Sequence, residues 1–287
     1  MQHRHDIDPP LVAVKDAVER ALAEDLLPLG DLTASLVDPS VNASVRLVAR
    51  EEGVVAGRLC AIETFFQIDA SVKMNWHVHD GSAVAKDTVI AHIEGPLRSI
   101  LTAERTALNF YGHLSGVATK TARIVSLVAA VNPNTRVIDT RKTIPGLRSL
   151  QKAAVRAGGG YNHRGNLSEA VLVKDNHLGG ISIHEAIARG KTRWPGRMVE
   201  VECDTISQAR EAASGGATVI MLDNMTPTEA KAAVEAVKEI STEVLIEVSG
   251  GINETTAPLY ALAGVDLLSV GALTHSVSVL DVGLDLA

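Results

Sequence analysis

RMVEVECDTISQAREAASGGATVIMLDNMTPTEAKAAVEAVKEI, residues 197–240, holds two short β-rich apolar runs, each followed by an Ala-rich stretch of helical spacing. RMVEVEC (197–203) leads into TISQAREAASGG, and TVIMLDN (218–224) leads into TPTEAKAAVEAVKEI. Thr226 stands before Pro227 as a cap residue and the glycine pair at 215–216 closes the preceding run, the usual start and stop signals of helices. The same alternation extends outward in both directions. Further apolar runs occur at TRVIDT (135–140), AVLVKD (170–175), EVLIEVSG (243–250) and VDLLSVG (265–271). GLRSLQKAAVRAGG, SIHEAIARG and NETTAPLYALAG supply the helical segments between them. Strands alternating with helices at this interval imply parallel βαβ units. Nearly continuous apolar character implies a sheet covered on both faces. The fold class is therefore α/β. A (β/α) barrel with fewer than eight strands is favoured over an open doubly wound sheet, because no Gly-rich dinucleotide fingerprint follows the first strand.

The first half has a different pattern. SVRLVAREEGVVAG (44–57), MNWHVHDGSAV (74–84) and TVIAHIEG (88–95) predict strands joined by Gly-containing turns. PPLVAVKDAVERALAED (9–25) and LCAIETFFQI (59–68) predict helices around them. This is an α+β layer. The DGSAVAKDTV turn, with Lys86, reads as an ordinary hairpin rather than a carrier site. A long helical stretch from Thr102 to about Val131 is expected to break near Ser115-Gly116, where the barrel begins. The expected domains are 1–115 and 116–275, with the tail 276–287 returning to the first.

Composition restricts the function. The chain has 287 residues, net charge −7, 46% hydrophobic and 21% charged residues, which suits a globular protein. An acidic chain lacks the broad basic surface of a nucleic-acid binder, so no nucleic-acid partner is expected. No apolar run reaches membrane-spanning length, and MQHRHDIDPP lacks the apolar core of a signal peptide. Two cysteines, Cys60 and Cys203, make neither a disulfide framework nor a metal-ligand spacing, so a cytoplasmic setting with no membrane partner is expected.

The polar residues collect where barrel enzymes keep their chemistry, at the C-terminal ends of strands and in the loops beyond them. They are Arg141 and Lys142, His163 and Arg164, Lys174, Glu202, Asp223, the triplet Ser249-Gly250-Gly251, and Gly271. Strand alternation puts Glu200 with Glu202, Met221 with Asp223, and Glu247 with Ser249 on shared faces, and the carboxylates should point into the barrel. Taken singly, each has an ordinary reading: a solvated strand-end cation, a structural ion pair, a loop histidine, a tight turn. Their convergence on one rim favours a site. Glycine loops such as VSGGI and SVGAL expose backbone N–H groups beside helix N-termini, which suits phosphate. Glu202 and Asp223 are hard oxygen donors suited to Mg²⁺. Arginine pairs bidentately with carboxylates, and lysine serves as a point charge for phosphates. The site should hold a phosphorylated, Mg²⁺-bound substrate beside a carboxylate-rich one.

TAERTALNFYGHLSGVAT (102–119), DTRKTIPGLR (139–148), GGGYNHRGNLSEAVLVKDNH (158–177), VEVECDT (199–205), IMLDN (220–224) and EVSGGI (247–252) closely resemble quinolinate phosphoribosyltransferases. The resemblance covers nearly the whole chain, with no departure at a motif position. It implies an incomplete (β/α) barrel with a separate N-terminal α+β sandwich domain, assembled as a homodimer or higher homo-oligomer. The implied reaction joins quinolinate to phosphoribosyl pyrophosphate (PRPP), giving nicotinate mononucleotide, pyrophosphate and CO₂. By the same resemblance quinolinate would be held by Arg105, Thr140, Arg141, His163, Arg164 and Lys174. PRPP would meet Lys142, Lys174, Glu202, Asp223, Ser249, Gly250, Gly251 and Gly271, with Glu202 and Asp223 also holding Mg²⁺. Lys142, Lys174, Glu202 and Asp223 would form the catalytic set. Arg105 lies before the barrel starts, so it is expected to serve a neighbouring subunit's site. Two other readings compete: a barrel aldolase using Lys174 as a Schiff-base amine, and a non-catalytic anion-binding paralogue.

Overall fold

The computed structural model describes residues 7–286. The chain forms two compact units. The first comprises residues up to Ala122 together with Thr143–Gly159 and Leu273 onward, and the second comprises Arg123–Lys142 and Gly160–Ala272. Elements are numbered along the chain.

The first unit holds α1 (Leu11–Leu26), β1 (Asn42–Ala49), β2 (Gly53–Val54), α2 (Arg58–Ile68), β3 (Lys73–Trp76), β4 (Ala83–Val84) and β5 (Val89–Pro96). It also holds most of α3 (Leu97–Ala129), as well as α4 (Arg148–Ala157) and β12 (Val282–Leu286). Its main sheet is antiparallel in the order β12-β1-β5-β3, and β2 pairs with β4 in a small ribbon. One face of the sheet supplies Val45, Leu47, Ile93 and Ala91 to a core completed by Phe65, Ile100 and Tyr111. This is an α+β unit built around an antiparallel sheet.

Helix α3 corrects the expected break. It runs unbroken from Leu97 to Ala129, through Ser115 and Gly116. Ser115 is buried, and its hydroxyl donates to the Ala56 carbonyl at 3.1 Å while accepting from the Ala56 N–H at 3.0 Å. Gly116 is there for space: a Cβ at this position would lie 2.0 Å from the Ser278 carbonyl oxygen. Gly112, one turn earlier, accepts from the Leu280 N–H at 3.0 Å. The glycines let the returning chain pack against the helix backbone.

Helix α4 falls with the first unit. Gln151 on α4 is fully buried and hydrogen-bonds His113 at 2.9 Å and the Thr274 carbonyl at 2.8 Å. Gly158, just after α4, faces the Ala118 carbonyl, where a Cβ would stand 2.4 Å away. These contacts, all within the first unit, make α4 part of its core.

The second unit carries six parallel strands: β6 (Arg136–Ile138), β7 (Val171–Val173), β8 (Val199–Cys203), β9 (Val219–Asp223), β10 (Leu245–Ser249) and β11 (Leu267–Ser269). Their order is β6-β11-β10-β9-β8-β7, with β6 and β7 at the two ends and Tyr161 bridging to Ile138 of β6. Helices α5 (Asp175–Leu178), α6 (Ile183–Arg193), α7 (Ile206–Ser214), α8 (Pro227–Lys238) and α9 (Ala257–Leu262) link them, and α10 (Ala272–His275) follows β11. This is the incomplete (β/α) barrel that the strand–helix alternation predicts. Helices α7 and α8 both begin with capping boxes, at Thr205/Gln208 and Thr226/Glu229, and α8 has proline in its first turn. Their buried positions are alanines and one valine, small side chains that bring each helix close to the sheet. No helix among the described residues is long and apolar enough to cross a membrane.

Candidate active site

The C-terminal ends of the six parallel strands open onto a cavity of about 450 Å³ within the second unit. Ten of the residues singled out from the sequence line it: Thr140, Arg141, Lys142, His163, Arg164, Lys174, Glu202, Asp223, Ser249 and Gly250. Each reaches the rim for a local reason. Thr140, Arg141 and Lys142 follow β6, where the Thr140 hydroxyl accepts from the Lys142 N–H at 3.0 Å and turns the chain. Lys174 directly follows β7, while Glu202, Asp223 and Ser249 are at or next to the last residues of β8, β9 and β10.

The loop 161–164 is fixed by a residue that the sequence reading passed over. Asp139 is fully buried, and its carboxylate accepts from the His163 N–H at 2.9 Å and the Asn162 side-chain amide at 2.7 Å. Burying a charged carboxylate is tolerated only when it is hydrogen-bonded in this way. An Asp closing an apolar run is the signal that was available, but it looks the same as an exposed loop residue.

Deeper in the barrel lie Glu200 and Glu247, 3% and 1% exposed. The His163 ring Nε2 lies 2.9 Å from Glu200 Oε2 and 3.6 Å from Glu247 Oε2. Ser269 donates to Glu247 Oε1. Burial, reinforced by the Glu200 charge, pushes the Glu247 carboxyl up to about 8, so this pair carries a proton at neutral pH. Burial also lowers the Arg164 guanidinium, with the Arg141 charge acting in the same direction and Glu200 opposing. A guanidinium lowered by burial and by a neighbouring guanidinium marks a place built for an anion.

The two mouth carboxylates are engaged by neighbours. Glu202 is ion-paired with the Lys174 ammonium, and Asp223 accepts from the Asn224 side-chain amide at 2.6 Å. Asn224, also missed from the sequence, adopts a left-handed backbone at φ 54°, a conformation that asparagine tolerates better than most side chains. Its N–H donates to the Ser249 carbonyl at 2.9 Å, tying the loops after β9 and β10 together. Gly250 must be glycine: φ is 102°, and a Cβ would lie 2.2 Å from Asn224 Oδ1.

Three predicted residues lie off the cavity lining. Gly251 is exposed with φ 63°, next to Gly250. The loop there does not enter a helix at once, since α9 begins only at Ala257, which corrects the expected helix N-terminus beside VSGGI. Gly271 does precede a helix, the four-residue α10. Arg105 is exposed on α3 in the first unit.

Glu202 and Asp223 form a donor set of two carboxylates on adjacent strands facing one cavity, which suits Mg²⁺ completed by substrate oxygens. The closest grouping of three potential ligands among the described residues is a different one, His163, Glu200 and Glu247. Neither cysteine is a candidate nucleophile, because burial pushes both the Cys60 and Cys203 thiols up to about 12.

An incomplete parallel barrel whose strand ends bear guanidiniums, ammoniums, paired carboxylates and a left-handed glycine loop defines a class of enzymes acting on phosphorylated and carboxylated small molecules. The C-terminal domain model of quinolinate phosphoribosyl transferase matches residues 117–285, and the N-terminal domain model matches residues 31–115. The nicotinate-nucleotide pyrophosphorylase [carboxylating] of Mycobacterium leprae is 39% identical over 96% of this chain and 97% of its own. The probable enzyme of the same name from Methanocaldococcus jannaschii is 42% identical over 90% of this chain and 92% of its own. The solved nicotinate-nucleotide pyrophosphorylase of Francisella tularensis superposes with a TM-score of 0.91 at 38% identity, covering 98% of both chains. The chain belongs to the quinolinate phosphoribosyl transferase family.

Proposed function

We propose that the protein transfers the phosphoribosyl group of PRPP to quinolinate with loss of CO₂, forming nicotinate mononucleotide and pyrophosphate for NAD biosynthesis. The observation that carries this reading is the make-up of the cavity lining. Arg141, Lys142, Arg164 and Lys174 supply cations to it, Glu202 and Asp223 supply carboxylates, and Ser249 and Gly250 supply a left-handed glycine turn.

In this reading the two carboxylates of quinolinate are held by Arg141, Arg164, His163, Lys174 and the Thr140 hydroxyl. The sugar phosphate rests on Ser249, Gly250, Gly251 and Gly271, and Lys142 and Lys174 reach the PRPP oxygens. Mg²⁺ held by Glu202 and Asp223 would supply neutralising charge for the departing pyrophosphate. As the C1–O bond of the ribose breaks, positive charge develops on the sugar, and the Glu202 and Asp223 carboxylates stabilise it. The pyridine nitrogen donates its pair to C1 and becomes a cationic ring nitrogen. The bond to the adjacent carboxylate then breaks, its electrons stay on the ring carbon next to that cation, CO₂ leaves, and the carbon takes up a proton.

Lys174 is paired with Glu202, the opposite of the desolvated, unpaired amine that Schiff-base chemistry uses, which counts against the aldolase reading. Arg105 completes the quinolinate pocket of a second subunit in a homodimer or higher homo-oligomer, and the cytoplasm is the proposed setting. Incubating the protein with quinolinate, PRPP and Mg²⁺ tests the reading. Pyrophosphate and nicotinate mononucleotide should appear together and stop on chelation by EDTA. No product with the metal present would overturn it.

A further inference from the structure

Val173 on β7 is in register with Val201 on β8, so the residues that follow them, Lys174 and Glu202, stand abreast at the barrel mouth. Their side chains form an ion pair in which the lysine is 39% exposed and the glutamate 14%. The two partners meet where the two halves of the proposed chemistry adjoin. Lys174 is assigned to the dicarboxylate substrate and also reaches the PRPP oxygens, and Glu202 is one of the two carboxylates assigned to Mg²⁺ and the phosphoribosyl substrate. In this structure each occupies the other.

We propose that Lys174 is a switch between the two substrates: bound to Glu202 it masks the metal–PRPP site, and a vicinal dicarboxylate draws it away and unmasks that site. This rests on the function proposed above and adds the order in which the site is assembled. The physical argument concerns where charge is left. The lysine is half-exposed, so its pairing is loosely held and exchanges readily. Arg141 and Arg164 line the same cavity, where burial and the Arg141 charge lower the Arg164 guanidinium, so an arriving dianion finds two guanidiniums beside Lys174. When the ammonium moves to it, the nearly buried Glu202 carboxylate loses its only ion-pair partner among the described residues. An uncompensated carboxylate in that position attracts the next available cation, and Mg²⁺ bound to PRPP brings one.

The sign of the coupling is the discriminating feature. Two polyanions in one cavity repel, so charge alone predicts that each ligand weakens the other. The Lys174 switch predicts the reverse, and linkage requires the effect to be reciprocal. Phthalate is the probe for the dicarboxylate, because it has the same vicinal carboxylates but no ring nitrogen and cannot consume PRPP. In calorimetric titrations of the full protein, saturating phthalate should tighten Mg²⁺–PRPP about tenfold or more, and Mg²⁺–PRPP should tighten phthalate by the same factor. Lys174→Met should reduce that factor to below about twofold. Glu202→Gln should also abolish it, and should bind phthalate more tightly than the wild type because Lys174 is no longer held. That gain separates the switch from simple loss of a ligand. Equal or weaker Mg²⁺–PRPP binding with phthalate present, or full coupling in Lys174→Met, overturns the inference while leaving the proposed function intact. Failure of Mg²⁺–PRPP to bind the wild type both alone and with phthalate present overturns both.

Discussion

Glu247 shows how the barrel interior treats a carboxylate that the sequence places correctly but cannot interpret. Alternation puts Glu200 and Glu247 on the inward faces of their strands, and they are buried there. Their partner is not legible, because His163 comes from a loop 37 residues before Glu200. The Glu247 carboxyl is raised from 4.5 to about 8, first by burial and then by the Glu200 charge. A raised value means that the folded state holds the proton more tightly than the unfolded chain. Its contribution is complete below about 4.5 and is lost as pH rises toward about 8. Glu247→Gln keeps the acceptor for Ser269 and removes the titration. Denaturant unfolding should show the variant gaining on the wild type between pH 5 and 8, by no more than about 1.4 kcal/mol per pH unit; a constant difference would contradict the shift. At the mouth, Glu202→Gln and Asp223→Asn nearly preserve shape while each removes one charge. Both should lower turnover and its Mg²⁺ dependence without weakening quinolinate, measured by initial rates and calorimetry. Near-normal rates in both would remove these residues from the metal and ribose roles.

Helix α3 makes the corresponding point for elements. The strand and helix runs of the second unit were legible because period and caps are local properties, and the six strands lie within the runs that predict them. The continuity of α3 was not legible, because the reason for Gly116 is a carbonyl 162 residues away in sequence. Propensity alone makes Gly116→Ala stabilising by up to about 1 kcal/mol. Packing says the opposite, since the new Cβ would meet the Ser278 oxygen at 2.0 Å. Forced overpacking of this kind costs about 1–3 kcal/mol, so the variant should melt at a lower temperature than the wild type. A higher melting temperature would show that the returning chain does not press on α3. Helix α4 carries the same lesson. Its sequence reads as one more barrel helix, yet buried Gln151 ties it to His113 and the Thr274 carbonyl in the first unit.

For the whole molecule, most of the candidate site was legible because its residues cluster at strand ends, and parallel topology brings strand ends together. Asp139 and Asn224 were not, since their roles depend on loops meeting in space. Arg105 belongs to the first unit, exposed on α3, and the function proposed above uses it in the quinolinate pocket of a second subunit. Arg105→Ala and Arg141→Ala should therefore each be nearly inactive alone. Mixed and reassembled, random pairing puts one intact site in each mixed dimer, and activity should recover toward about a quarter of wild type. No recovery would mean that both arginines serve the same subunit. The central claim is that one cavity couples phosphoribosyl transfer to decarboxylation. The most direct test supplies quinolinate labelled with ¹³C in the carboxylate next to the ring nitrogen, and follows labelled CO₂ and pyrophosphate together. The account predicts one labelled CO₂ for each pyrophosphate, both requiring PRPP and Mg²⁺. Pyrophosphate released without labelled CO₂, or no reaction of quinolinate at all, would contradict it.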